Sequence, residues 1–240
     1  MSDQTPALIE QFKSEATIAG SMVYEAKNAD DAKSYILKLA QEQKIQRIVK
    51  SKSPLAEQIG LRKFLEKAGL KVTESNIKEW FAQLADESLL HLPDSPTLKQ
   101  IVDLLTKATG EKLEPDPQVI HKSIRRALRR HYLEAGMGIT EAEIAIAETG
   151  TAISLCNDGS SRLAAILPLI HVTLIAGKGI VGTLDEATIR LKALSKTVQG
   201  NSLPAYITYI TGRNTTGDIP GALMARAQGP AEEHVVLITT

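Results

Sequence analysis

The chain has 240 residues, 43% hydrophobic and 23% charged, enough to bury a sizeable core in one large or two small domains. Lys plus Arg number 28 and Asp plus Glu 28, so the formal net charge is zero, which speaks against a dedicated nucleic-acid binder. A single cysteine, Cys156, excludes an intramolecular disulfide and a cysteine-bound iron–sulfur cluster within this chain.

The opening residues, MSDQTPALIEQFKSEA, have neither a basic segment nor an apolar one, so no secretory leader is expected. Residues 5–22 read as a helix. Asp30 and Asp31 open a second, DDAKSYILKLAQEQK, with Ala32, Tyr35, Ile36, Leu39 and Ala40 at helical spacing. IQRIVKS is a strand. Ser53-Pro54 starts the helix LAEQIGLRKFLEKAG, which Gly69 closes. KVTES is strand-like, NIKEWFAQLAD helical, SLLHLPD a candidate strand and SPTLKQIVDLLTKATG a helix. This alternation predicts βα units and a parallel sheet.

Glu114-Pro115-Asp116-Pro117 breaks the chain before the helix QVIHKSIRRALRRHYLEAGM. There Lys122, Arg125, Arg126, Arg129 and Arg130 form one stripe, with Ile120, Ile124, Ala127, Leu128 and His131 opposite. Such a stripe is a solvated face, the lining of an acid-binding cleft or a partner surface. From Glu141 onwards strands dominate: AEIAIAE, TAISLCN, IHVTLIA, AYITYIT and HVVLIT, with the helix DEATIRLKALSKTV between the third and fourth. The longest apolar stretch, residues 163–177, contains Pro168 and His171 and falls short of the ~20 residues that cross a bilayer, so no membrane span and a cytoplasmic location are expected.

Thr149-Gly150 reads as a two-residue hairpin turn. It leaves Glu148 at a strand end in an apolar run, explained by solvent exposure or by a ligand. Asn157-Asp158-Gly159-Ser160-Ser161-Arg162 is a tight loop before a short helix, RLAAILP. It is either an N-cap beside a solvated arginine or an anion site, with Ser160 and Ser161 offering hydroxyls and amides and Arg162 a bidentate partner. The G-x-x-x-x-G-K-[ST] and G-x-S-x-G orders are absent, and the five histidines lack HxxxH or HExxH spacing, so no metal site is expected. Cys156, in an apolar strand, is read as an inert buried thiol.

Three stretches together, KSKSPLAEQIGLRKFLEKAG, GITEAEIAIAETGTAISLCNDGSSRLAAILPLIHVTLI and TGRNTTGDIPGALMARAQGPAEEHVVLI, resemble the LUD domain of the lactate-utilisation protein B and C family. The resemblance covers about residues 25–240, with residues 1–24 as an N-terminal helical extension. It implies a layered α/β fold, a mainly parallel sheet flanked by helices, as in sugar-phosphate isomerases, CoA transferases and formyltetrahydrofolate cyclo-ligases. It also implies a part in L-lactate oxidation within a multi-subunit iron–sulfur system. The B-type member continues into a cysteine-rich segment. This sequence stops at Thr240 with one cysteine, which suggests a stand-alone architecture nearer the C type, with no cofactor of its own and iron–sulfur subunits as partners.

Carried over by position, the ligand-binding candidates are Lys52, Ser53, Thr149, Gly150, Thr151, Asn157, Gly159, Ser160, Ser161, Arg162 and Asp218, with Pro168, Gly229 and Pro230 nearby. Glu148, His171 and His234 are the catalytic candidates, although a histidine in such a strand is more often a satisfied core residue. The expected ligand is a small carboxylate or a phosphorylated molecule. Three readings stay open: a non-redox, anion-binding component of a lactate-oxidising system; an independent transferase, isomerase or ligase-like enzyme; and an assembly protein docking an acidic partner.

Overall fold

The computed structural model describes residues 5–87, 96–198, 204–213, 215–219, 222–225 and 228–239. The candidate strand SLLHLPD lies outside them. In chain order the first half contains α1 (Thr5–Ile18), β1 (Met22–Ala26), α2 (Ala29–Glu42), β2 (Arg47–Lys50), α3 (Pro54–Gln58), α4 (Leu61–Lys67), β3 (Lys71–Glu74), α5 (Ile77–Glu87), α6 (Leu98–Thr109) and α7 (Pro117–Glu134). The second half contains β4 (Met137–Ala142), β5 (Ile144–Ile146), β6 (Thr151–Cys156), α8 (Ser160–Ile166), β7 (Ile170–Ala176), β8 (Ile180–Val181), α9 (Leu184–Val198), β9 (Tyr206–Ile210), β10 (Thr215–Ile219), β11 (Ala222–Ala225) and β12 (Glu232–Ile238).

Six strands form one parallel sheet in the order β1-β12-β7-β4-β2-β3. Ile48, Met137, Ile139, Val172, Leu174 and Val236 fill the side that packs against α2, α3 and α4. On α2, Ala32, Ile36, Leu39 and Ala40 are buried, and the Asn28 side chain caps the first turn by accepting from the Asp31 amide. Asp116 caps α7 in the same way, accepting from the Gln118 and Val119 amides, with Pro117 in the first turn.

A second sheet, ordered β8-β5-β6-β9, covers part of the other face. Its alternation explains the layering. Ala145, Ala147 and Ala152 cluster with Ile175, Val235, Leu237 and the α1 residues Phe12 and Ala16. Ile144, Ile146 and Ile153 cluster with Ala187 and Leu191 of α9. Small side chains point to the parallel sheet and large ones to the helix.

Four boundaries differ from the sequence expectation. The first helix stops at Ile18, and Met22–Ala26 joins the parallel sheet as β1. Residues 55–69 are two helices, α3 and α4, broken at Gly60 with φ +66°. The long basic helix ends at Glu134, and Met137 begins β4, paired on both sides within the sheet. The expected strand AEIAIAE is divided: Ala142 ends β4 in one sheet and Ile144 begins β5 in the other. Gly138 lies where α8 presses on β4, and a Cβ there would collide with the Ala164 carbonyl oxygen.

Candidate functional site

Open α/β sheets place ligands beyond the carboxyl ends of their parallel strands. Here that edge carries Ser51 and Lys52 after β2, Asn76 after β3 and Glu143 after β4. These four, with Leu155, Cys156, Asn157, Ser160 and Ser161, line a cavity of about 310 Å³. Two of the expected ligand-binding segments therefore meet at one place: Lys52 and the loop that carries Asn157, Ser160 and Ser161.

Glu143 is the residue that sequence reasoning missed. It sits between the two sheets, and its Oε2 accepts from the Leu155 amide at 2.9 Å. Burial pushes its carboxyl up to about 8, outweighing the hydrogen bonds from backbone amides that stabilise the charge, and nearby Glu141 adds repulsion in the same direction. The signal was legible, since a carboxylate between two apolar runs is costly unless it has a role. Glu143 meets that criterion as well as Glu148 does.

Lys52 keeps its side chain 61% exposed, 3.6 Å from Glu79 Oε1. Ser53 has a structural role. Its hydroxyl caps α3 by accepting from the Ala56 amide at 2.9 Å and donates to Glu141 at 2.7 Å. Glu141 also accepts from the Leu55 amide at 2.9 Å. The loop after β6 is held internally. Asp158 Oδ1 accepts from the Ser160 amide (3.0 Å) and hydroxyl (2.6 Å), and Oδ2 from Asn76 Nδ2 (2.7 Å). Asn157 Oδ1 accepts from the Ala205 amide, and the Ser161 hydroxyl is hydrogen-bonded to that of Ser154. Gly159 takes a φ of +75° at the helix start. The first turn of α8 is thus met by the chain's own carboxylate. Cys156 is half-buried and borders the cavity rather than being sealed in the core. Arg162 is exposed on α8 and is not among the residues lining this cavity.

The Glu148–Thr151 group lies elsewhere. β5 and β6 do form a hairpin, but Ile146 pairs with Thr151, so the connection is the four residues 147–150 and not Thr149-Gly150 alone. It stands at the opposite end of β6 from Asn157, about 18 Å away by strand rise. Glu148 Oε1 accepts from the Leu184 amide at 2.8 Å at the start of α9. Gly150, φ +62°, lies against α1, where a Cβ would run into the Ala16 backbone. The hydroxyls of Thr149, Thr151 and Thr211 form a chain with 2.7 Å links.

The histidines are also held within the fold. His171 is fully buried: Nδ1 lies 2.6 Å from Glu233 Oε2 and Nε2 2.9 Å from the Thr140 hydroxyl, while the Thr173 hydroxyl donates to Glu233 Oε1. His234, on the other side of β12, meets the Tyr35 hydroxyl at 2.8 Å and Glu232 at 3.2 Å. Pro168 lies against β4 beside Gly138. Asp218 lies on β10, Gly229 and Pro230 just before β12. Among the described residues no group of three or more His, Cys, Asp or Glu side chains is arranged to hold a metal ion, and no helix is long and apolar enough to cross a membrane.

Known proteins share this sequence over most of its length. The LUD domain profile matches residues 9–238. Lactate utilization protein B of Shouchella clausii is 32% identical over 234 residues, 96% of this chain and 48% of that protein. The protein of the same name from Geobacillus kaustophilus is 34% identical over 227 residues, 91% and 45%. An Escherichia coli protein named as an uncharacterized electron transport protein, YkgF, is 31% identical over 235 residues, 97% and 48%. The chain spans about half the length of these relatives. The crystal structure of a DUF162 family protein from Deinococcus radiodurans superposes with a TM-score of 0.54 at 16% identity, covering 98% of both chains, and so shares the fold. Both lactate-utilisation relatives are of the B type, where the sequence suggested an architecture nearer the C type.

Proposed function

The chain belongs to the LUD domain family, and from that premise we propose that it serves lactate or related 2-hydroxy-acid utilisation by binding the small acid in the Glu143 cavity. The relatives' names supply the substrate class. The observation that carries the reading is a carboxyl group that titrates near neutral pH in the same small cavity as a lysine, at the carboxyl edge of the sheet.

Lys52 supplies the positive charge for the carboxylate of the acid, and Asn157 can add a side-chain amide donor. Glu143 faces the 2-hydroxyl or 2-oxo group. Protonated, it donates to a carbonyl oxygen; ionised, it accepts the hydroxyl proton. This is the acid–base half of interconverting a 2-hydroxy acid and a 2-oxo acid. The other half, loss of the C2 hydrogen with its electron pair as hydride, would need a hydride acceptor held by a partner subunit, from which an iron–sulfur subunit would take the electrons one at a time, a role in keeping with the electron-transport name of the Escherichia coli relative.

Calorimetric titration with L-lactate, pyruvate and phosphate tests the reading. Wild type should bind the two organic acids, and Lys52→Ala should lose about 1.5–3 kcal/mol of that affinity, the scale of a charge-assisted hydrogen bond. Absence of binding at millimolar acid, or equal affinity in wild type, Lys52→Ala and Glu143→Gln, would refute it.

A further inference from the structure

A larger groove of about 850 Å³ adjoins the Glu143 cavity and shares Asn157 and Ser160 with it. The basic stripe of α7, Lys122, Arg125, Arg126 and Arg129, lines one side, with apolar side chains such as Ile124 and Leu128 between the charges. Arg126 is paired with Glu111 at 2.9 Å. Among the described residues, Lys122, Arg125 and Arg129 have no carboxylate within 4.0 Å. Three or four residues apart on one helix, they form a row about 10 Å long whose members repel one another until an anion lies along it. Asp158, the acid that lines the groove, is already engaged by Ser160 and Asn76.

A second observation comes from the residues beyond the basic row. Ser75 lines the groove, is 2% exposed, and its hydroxyl has no hydrogen-bond partner among the described residues. Buried hydroxyls are ordinarily satisfied, so this one points to a ligand oxygen.

We propose that the groove binds an extended ligand bearing two or more phosphoryl groups, with its phosphates along Lys122, Arg125 and Arg129 and its other end at Ser75, Asn157 and Ser160, beside the Glu143 cavity. Guanidinium groups match phosphate oxygens in pairs, and the volume falls within the range of small-molecule sites. A folded acidic partner would meet the arginines but would leave the buried Ser75 hydroxyl unmet. The inference goes beyond the small-acid reading and does not depend on it.

The test is calorimetric titration of the full chain with pyrophosphate and with ADP, at low and physiological salt. Wild type should bind both saturably, more weakly as salt rises. Arg125→Glu with Arg129→Glu should weaken both at least tenfold, and Ser75→Ala severalfold, with circular dichroism unchanged. Should the reversal variant fail to fold, Arg125→Gln with Arg129→Gln should show the same loss. No saturable binding of either probe, equal affinity in wild type and the folded double variant, or binding of a polyglutamate peptide in preference to both probes would overturn the proposal. L-lactate titrated in parallel separates the two readings, because its loss from wild type with ADP binding retained sinks only the small-acid site.

Discussion

Glu141 and Glu143, two residues apart, are drawn to different roles. Glu141 accepts from the Ser53 hydroxyl and the Leu55 amide at the start of α3, while Glu143 accepts from the Leu155 amide and borders the cavity. One carboxylate caps the start of a helix; the other joins two sheets and lines the cavity.

The raised Glu143 value has a thermodynamic sign. In the folded chain the proton is held up to about pH 8; in the unfolded chain it leaves near the ordinary glutamate value of 4.5. Between these limits the folded state binds the extra proton, so its contribution is complete below about 4.5 and is lost as pH rises through 8. Denaturant titrations from pH 5 to 9 should show wild type losing on the order of 4 kcal/mol through this group, and Glu143→Gln should flatten that part of the profile. Parallel profiles for the two proteins would refute the assignment.

Lys50 and Glu74 pair across β2 and β3 with Nζ 2.8 Å from Oε2, both buried, and Arg62 stands 3.6 Å from the other carboxylate oxygen. Burial pushes the Glu74 carboxyl up, and the two cations counter it. Lys50→Met should destabilise the chain by about 3–5 kcal/mol by leaving the carboxylate half-compensated. Adding Glu74→Leu should recover most of the loss. Equal stabilities of the single and double variants in chemical denaturation would show that the pair is not coupled.

The Tyr132 hydroxyl reaches from α7 to the carbonyls of Ser75 and Ser160, at 3.4 and 3.3 Å. It therefore ties the basic helix to both loops that border the cavities. Tyr132→Phe should lower stability by about 0.5–1.5 kcal/mol. It should also increase amide hydrogen exchange at residues 75–77 and 158–161. A thermal midpoint drop with unchanged exchange in both loops would limit the hydroxyl to local packing.

Gly138→Ala should be among the most damaging small substitutions, because the new methyl would meet the Ala164 carbonyl inside contact distance and α8 could withdraw only by giving up its packing on β4. A loss above about 3 kcal/mol, or failure to fold, is expected. A thermal midpoint within a few degrees of wild type would mean that α8 can move away.

Much of this architecture is readable from residue pattern. The faces of α2 and α7, the strands β2, β3, β6, β7 and β12, and the convergence of Lys52 with the Asn157–Ser161 loop follow from periodicity and the resemblance together. The central strand β4 escaped because Met137–Ala142 is covered on both sides and shows no alternation, and because the reading of the basic helix ran on through Gly136 to Met137. β1 escaped because five residues carry little pattern of their own, and the helix reading over residues 5–22 ran into the first of them. Glu148 drew attention as the conspicuous carboxylate, yet α9 answers it with a backbone amide that only the folded chain supplies.

The single residue between β4 and β5 also sets a rule for chain length. Ala142 closes its place in one sheet and Ile144 opens its place in the other, so Glu143 alone makes the transfer. Adding or deleting one residue here would flip β5 by half a period, turning Ile144 and Ile146 towards the alanine layer and Ala145 and Ala147 towards α9. The junction at Glu143 therefore tolerates an exchange of its side chain far better than any change in spacing.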